Sequence, residues 1–266
     1  MTAIDTPTRS TWLAAARELL DRIERTQGDA VEEASRLCAG AIAHDGLVHL
    51  FGTGHSRIPV EEMFPRYGSY PGFHPIVELS MTYHTEVVGA NGQRQAMFIE
   101  RTEGLAAVIL ANFTLRPSDV MMIFSASGLT AVPIEVAMEA RALGLPVVAV
   151  TSRAQSLAGP SEHSSGSRLL DHADIVLDLC TPPADALVSV DGVSTPVGPG
   201  STLAAVALAN ALKVRVAELL AADGNLPPVL TSSTVVGAEE SRRLFDAAYA
   251  EHARRVAHVL RGAGDL

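Results

Sequence analysis

The stretch Asp119-Val-Met-Met-Ile-Phe-Ser-Ala-Ser-Gly-Leu-Thr130 sets five consecutive apolar residues against a turn of hydroxyls and glycine. So short an apolar run, closed by turn residues, reads as a parallel strand covered on both faces. A helical pattern follows over residues 132–143, stopped by Gly144 with Pro146 just beyond. A second stretch has the same grammar: Gly46-Leu-Val-His-Leu-Phe-Gly-Thr-Gly-His-Ser56 runs from strand into a Gly-x-Gly turn and a short helix over 58–64.

Outward from these two units the alternation continues. Strands are expected at 47–51, 75–79, 120–124, 146–150 and 174–179, with further helices at 104–111 and 201–222. Strand–helix alternation of this kind predicts an α/β fold with an open, doubly wound parallel sheet. The amphipathic pattern of residues 10–26, a break at Gly28-Asp29, and a second apolar pattern to Ala43 predict two N-terminal helices. Residues 238–260 predict a C-terminal one. The division expected is 1–44 for the N-terminal helices, 45–225 for the sheet domain and 226–266 for a helical tail, all one structural unit. Segments 67–74 and 152–168 read as long loops, and loops of that length in a compact domain are usually functional.

The two turns point to chemistry. Backbone N–H groups, hydroxyls and a helix start at the end of a strand bind an anion through dipoles. That matters in a chain of 266 residues with a formal net charge of −10 and a single lysine, Lys213. Such a balance argues against nucleic acid or an anionic membrane as partner, since both require basic surface. No run of eighteen apolar residues occurs and the N-terminus lacks a signal-peptide pattern, so a cytoplasmic location is expected. The ligand expected is a small phosphorylated metabolite, held by Gly52, Thr53, Gly54, His55, Ser56 and Arg57 of the first turn and by Ser125, Ser127, Gly128 and Thr130 of the second. Three hydroxyls around one glycine exceed what a single helix start needs.

The blocks Phe-Gly-Thr-Gly-His-Ser-Arg (51–57), Phe-Ser-Ala-Ser-Gly-Leu-Thr (124–130), Leu-Gly-Leu-Pro-Val-Val-Ala-Val-Thr-Ser (143–152) and Ala-Asp-Ile-Val-Leu-Asp (173–178) resemble the sugar isomerase (SIS) domain family. A further block, Val-Gly-Pro-Gly-Ser-Thr before an apolar helix, resembles the stretch that completes the pocket there and adds Ser201. His-Ser-Ser-Gly-x-Arg-Leu, residues 163–169, resembles a little-characterised bacterial branch. The resemblance implies a flavodoxin-like five-stranded sheet, a phosphosugar ligand, and at least a homodimer with pockets built partly by the neighbouring subunit.

Catalysis needs acids and bases beside the phosphate. On the short helix after the first turn, the resemblance makes Glu62 the carboxylate that removes the carbon-2 proton, with Glu61 as the fallback. His74, His84 and His163 are candidate proton donors or acceptors. His49 reads as a core histidine, and Arg57 as a fork for phosphate or a carboxylate. His163 and the pair Asp171-His172 lack metal-ligand spacing, so no metal and no cofactor are expected. The expected activity is carbon-2 proton abstraction from an (amino)sugar 6-phosphate, such as N-acetylglucosamine 6-phosphate, followed by β-elimination of water. An aldose–ketose isomerase is the alternative, and a non-catalytic phosphosugar sensor the alternative of another class.

Overall fold

The computed structural model describes residues 11–63, 65–82 and 92–260. Five strands, β1 (Val48–Gly52), β2 (Phe73–Ile76), β3 (Val120–Phe124), β4 (Val147–Thr151) and β5 (Ile175–Asp178), form a sheet in the order β2-β1-β3-β4-β5. Every pairing is parallel. This is the flavodoxin-like α/β arrangement, with its switch in strand order between β1 and β3. Each residue of β3 and β4 is buried, because helices cover both faces of the sheet.

The helices are α1 (Thr11–Thr26), α2 (Gly28–Ala43), α3 (Ile58–Met63), α4 (Gly92–Ile99), α5 (Leu105–Leu110), α6 (Ala131–Ala142), α7 (Arg153–Ala158), α8 (Ser201–Ala222), α9 (Ser233–Val236) and α10 (Ala238–Val256). Alternation along each strand sorts the core into two layers. Val48, Leu50, Val120, Met122 and Phe124 pack with Leu19 and Ile23 of α1, Cys38 and Ile42 of α2, and Leu208 and Leu212 of α8. Phe51, Met121, Ile123 and Ala149 pack on the other face with Ile109 of α5 and Ile134 and Val136 of α6. Burial at about 25 cal/mol per Å² of apolar surface makes these two layers the main source of stability. Among the described residues, no helix is long and apolar enough to cross a membrane.

Several elements differ from expectation. β2 starts two residues earlier than position 75, since Phe73 is fully buried and pairs with Val48. It stops at Ile76 because the Glu78 side chain accepts from Ser80 N and turns residues 79–81 into a 3₁₀ helix. The segment 152–168 is no plain loop: Ser152 Oγ accepts from Gln155 N and caps α7. A small antiparallel hairpin, β6 (Ala186–Val188) with β7 (Val197–Pro199), was not anticipated. α10 ends at Val256, short of position 260, because the chain bends there so that Leu260 bridges to Phe113 and Val259 O accepts from Thr114 N.

Candidate functional site

The β1–β3 register places Gly52 opposite Phe124, so the two serine- and glycine-rich turns leave the sheet side by side. This is the crevice at the carboxyl ends of the strands, beside the switch point, where open α/β sheets take ligands. The chain can fold back there only because residue 52 is glycine: a Cβ would stand 2.3 Å from Ser56 O. Gly54 then adopts φ +54 and opens a 3₁₀ turn, Gly54–Arg57, that runs directly into α3.

In the second turn, Ser125 Oγ accepts from Gly128 N at 3.2 Å, and Gly128 takes φ +64. Ser127 Oγ accepts from Leu129 N at 3.4 Å. Thr130 is the N-cap residue of α6, yet its side chain makes no capping hydrogen bond. The α6 N-terminus is less rich in donors than an average helix start. Pro133 has no N–H, and Val132 N donates to Glu100 O at 3.0 Å. Hydroxyls therefore carry more of any anion contact here than helix N–H groups do.

Between the turns and the α8 N-terminus lies a narrow cleft lined by His55, Ser56, Ser125, Ala126, Ser201 and Thr202. Ser201 opens α8 beside this cleft, and its hydroxyl donates to Asp185 Oδ2 at 2.7 Å. Asp185 Oδ1 also accepts from Ser201 N at 2.8 Å and Gly200 N at 3.2 Å. The α8 N-terminus thus already holds a carboxylate, which suits its dipole. With its hydrogen given to Asp185, Ser201 Oγ is the acceptor for His55 Nε2, 3.3 Å away. A carboxylate–hydroxyl–imidazole chain results. Burial pushes the His55 pKa below its ordinary value, while the Asp185 charge pulls it back up.

On the other side of the first turn, Thr53 Oγ1 donates to Glu100 Oε2 at 2.8 Å. Glu100 follows α4, and its backbone carbonyl holds Val132 of α6, so it is wedged between both turns. Burial raises its pKa above the usual carboxylate value; the Thr53 bond and the Arg101 charge oppose this, and the Glu162 charge adds to it. Glu100 and Asp185 are the two acidic residues that sequence reasoning missed. No motif flagged either, since the one follows a short helix and the other a Pro-Pro-Ala segment at φ +61.

Of the expected catalytic residues, Glu62, Glu61, His74 and His163 lie away from this cleft. Glu62 points from α3 toward α8, where Asn210 Nδ2 donates to it at 3.1 Å and Arg66 pairs with it. Burial pushes its carboxyl up, but these bonds outweigh burial and hold it below the ordinary value. Glu61 is exposed and paired with Arg57, which turns that guanidinium along α3. Both glutamates line a larger open groove with Ile58, Tyr67 and Tyr249. His74 sits in the amino-terminal half of the sheet, its Nδ1 3.0 Å from that of the fully buried His49, whose Nε2 is 3.2 Å from Asp119 Oδ2. Two strand residues separate His49 from Gly52, so the structure does not bring His74 to the cleft. His163 lies beyond α6, beside Glu103 and Glu135. His84 lies outside the described residues.

Comparison with known proteins agrees with this architecture. The SIS domain family matches residues 11–152, more than half of the chain. A UPF0309 protein of Streptomyces coelicolor is 37% identical over 231 residues, covering 86% of this chain and 90% of that protein. A UPF0309 protein of Listeria monocytogenes is 34% identical over 221 residues, covering 83% and 87%. Among solved structures, a phosphoheptose isomerase from Francisella tularensis superposes with a TM-score of 0.50 at 14% identity, covering 82% of this chain and 100% of that one, a likeness of fold. The chain belongs to the SIS domain family, alongside the UPF0309 proteins.

Proposed function

We propose that this chain binds a sugar 6-phosphate, an amino sugar such as N-acetylglucosamine 6-phosphate above all, and dehydrates it. The observation that carries this reading is the pairing of Gly52 with Phe124, which sets two hydroxyl-bearing turns against one small volume. The phosphate meets Ser127, Gly128 and Thr130 of the second turn and Ser56 of the first. Neutral donors replace the lysines the chain lacks.

Glu100 and His55 flank the first turn and supply the proton chemistry. Burial disfavours charge on both, lifting the carboxyl and lowering the imidazole toward each other. Opposed shifts of this kind let one group serve as the base and the other as the acid. The base takes the hydrogen on carbon 2, beside the carbonyl of the open-chain sugar. The acid protonates the hydroxyl on carbon 3, whose C–O bond breaks as the carbon–carbon double bond forms, and water leaves. An isomerase needs one group to carry a proton from carbon 2 to carbon 1. Two groups on opposite sides of the turn favour elimination.

The test is incubation of the protein with N-acetylglucosamine 6-phosphate while product mass is followed. Loss of one water supports dehydration. An unchanged mass with the carbon-2 epimer as product, or a ketose formed at unchanged mass from glucose 6-phosphate, which carries a carbon-2 hydroxyl, assigns an isomerase or epimerase instead, and tight binding with no product assigns a sensor. A homodimer implied by the family resemblance is supported by the exposed apolar side chains Ile58, Tyr67 and Phe245 around the open groove. Light scattering in solution reads it directly.

A further inference from the structure

Glu103, Glu135 and His163 come from three separate segments: the turn before α5, the second turn of α6, and the serine-rich loop 161–168. Their ligand atoms all lie within 4.8 Å of one another. We propose that these three residues bind one divalent transition-metal ion, zinc above all, which fastens the serine loop to α6.

Distance supports this. His163 Nε2 stands 3.5 Å from Glu135 Oε1 and 4.0 Å from Glu103 Oε2. Two ligands each about 2.1 Å from one zinc at the tetrahedral angle stand about 3.4 Å apart. The site closes around an ion with movements below about 1 Å, within the reach of side-chain adjustment. The His163 side chain is only 8% exposed and is aimed between the two carboxylates. Among the described residues, no lysine or arginine pairs with Glu103 or Glu135. Two carboxylates and an imidazole held this close, with the nearby Arg101 paired to Glu162 instead, form a site of negative charge.

Each ligand is also held from behind, the arrangement metal sites need. Gly104 N donates to both oxygens of Glu135, at 2.7 and 2.9 Å. Ser164 holds Glu103 through its N–H at 2.6 Å and its hydroxyl at 2.7 Å. His163 Nδ1 lies 2.7 Å from Ser165 Oγ. With metal on Nε2, Nδ1 carries the hydrogen and donates it to that hydroxyl; the longer Ser165 N–H contact at 3.2 Å is given up. One imidazole in the set favours zinc over magnesium or calcium, which take oxygen ligands. Three protein ligands leave a fourth position for water.

The loop so fastened is the one that backs the second turn. Glu162 N donates to Leu129 O, and Leu169 N to Gly128 O, each at 2.9 Å. The ion would therefore order the turn from outside. This inference stands independently of the phosphosugar reading, because its readout is metal binding alone.

The experiment strips the full chain of metal with a chelator and titrates it with zinc by calorimetry, with far-ultraviolet circular dichroism as the fold control. The expected result is one zinc per chain, with affinity at least about tenfold weaker in H163A and E135Q. E103Q, at an exposed position, keeps the test decisive if either of those variants fails to fold. H44A, which removes an exposed histidine on the far side of the fold, should bind zinc as the parent does. Absence of stoichiometric binding by the parent chain, or unchanged affinity in the folded ligand variants, overturns the proposal.

Discussion

Thr53 gives its hydroxyl hydrogen to Glu100 across 2.8 Å, tying the first turn to a half-buried carboxyl that sits between both turns. That bond favours the charged form of Glu100 against the burial that raises its pKa. The expected consequence of E100Q is a fall in kcat of about 10²–10⁴-fold, with phosphosugar affinity kept within a few-fold. Single-turnover kinetics beside equilibrium binding measure the two separately. E62Q, by contrast, should leave kcat nearly unchanged, since Glu62 is held by Asn210 and Arg66 away from the cleft.

The pair Glu100–His55 also fixes the pH dependence. With one of them needed deprotonated and the other protonated, kcat/KM should be bell-shaped, peaking between the raised pKa of Glu100 and the lowered pKa of His55. T53V removes a bond that favours the carboxylate, so the limb belonging to Glu100 should move to higher pH. D185N removes the charge that pulls the His55 pKa up, so the limb belonging to His55 should move to lower pH. A profile that neither substitution displaces would exclude this pair from the proton transfer.

Stability carries a separate pH signature from the other end of the sheet. Burial pushes the His74 pKa down from 6.5 to about 3, with the charges of His49, His252 and His258 adding to the fall and Asp119 opposing it. The unfolded chain therefore takes up a proton that the folded chain refuses. This contribution is fully present above pH 6.5 and is lost progressively as pH falls toward 3. Each pH unit in that window removes up to about 1.4 kcal/mol. Urea melts from pH 7 to 5 should show the decline, and H74Q should flatten it.

The first turn depends on glycine at position 52. In G52A the new Cβ would meet Ser56 O at 2.3 Å, so residues 52–56 must move. The expected result is a loss of phosphosugar affinity of more than tenfold, together with a lower Tm. A variant binding as tightly as the parent would show that this turn does not touch the ligand.

The sheet was legible because β3 and β4 are short apolar runs bounded by turn residues, a pattern that tertiary structure seldom overrides. The turns were legible as turns, because glycine and hydroxyl residues at a strand end favour a tight bend. β2 was displaced because His74 and Pro75 interrupt its apolar pattern, while Phe73, which anchors it, stands outside the run. Glu100 and Asp185 were hidden by sequence distance: their partners lie at positions 53 and 201, and only the fold brings them together. Glu62 illustrates the converse. The family resemblance made it the expected base, but its direction is set by Asn210 and Lys213 on α8, which donate to its carboxylate and its carbonyl. The grouping of Glu103, Glu135 and His163 has no ligand spacing along the chain for the same reason.

The most direct measurement is calorimetric titration with N-acetylglucosamine 6-phosphate beside the same sugar without phosphate, using the parent chain and the S127A/T130A variant. Binding of the phosphorylated sugar alone, weakened at least about tenfold in the variant, is the predicted result, since two charge-assisted hydrogen bonds are lost. Equal affinity for both sugars, or undiminished binding by the folded variant, would contradict the assignment of the paired turns as a phosphate site.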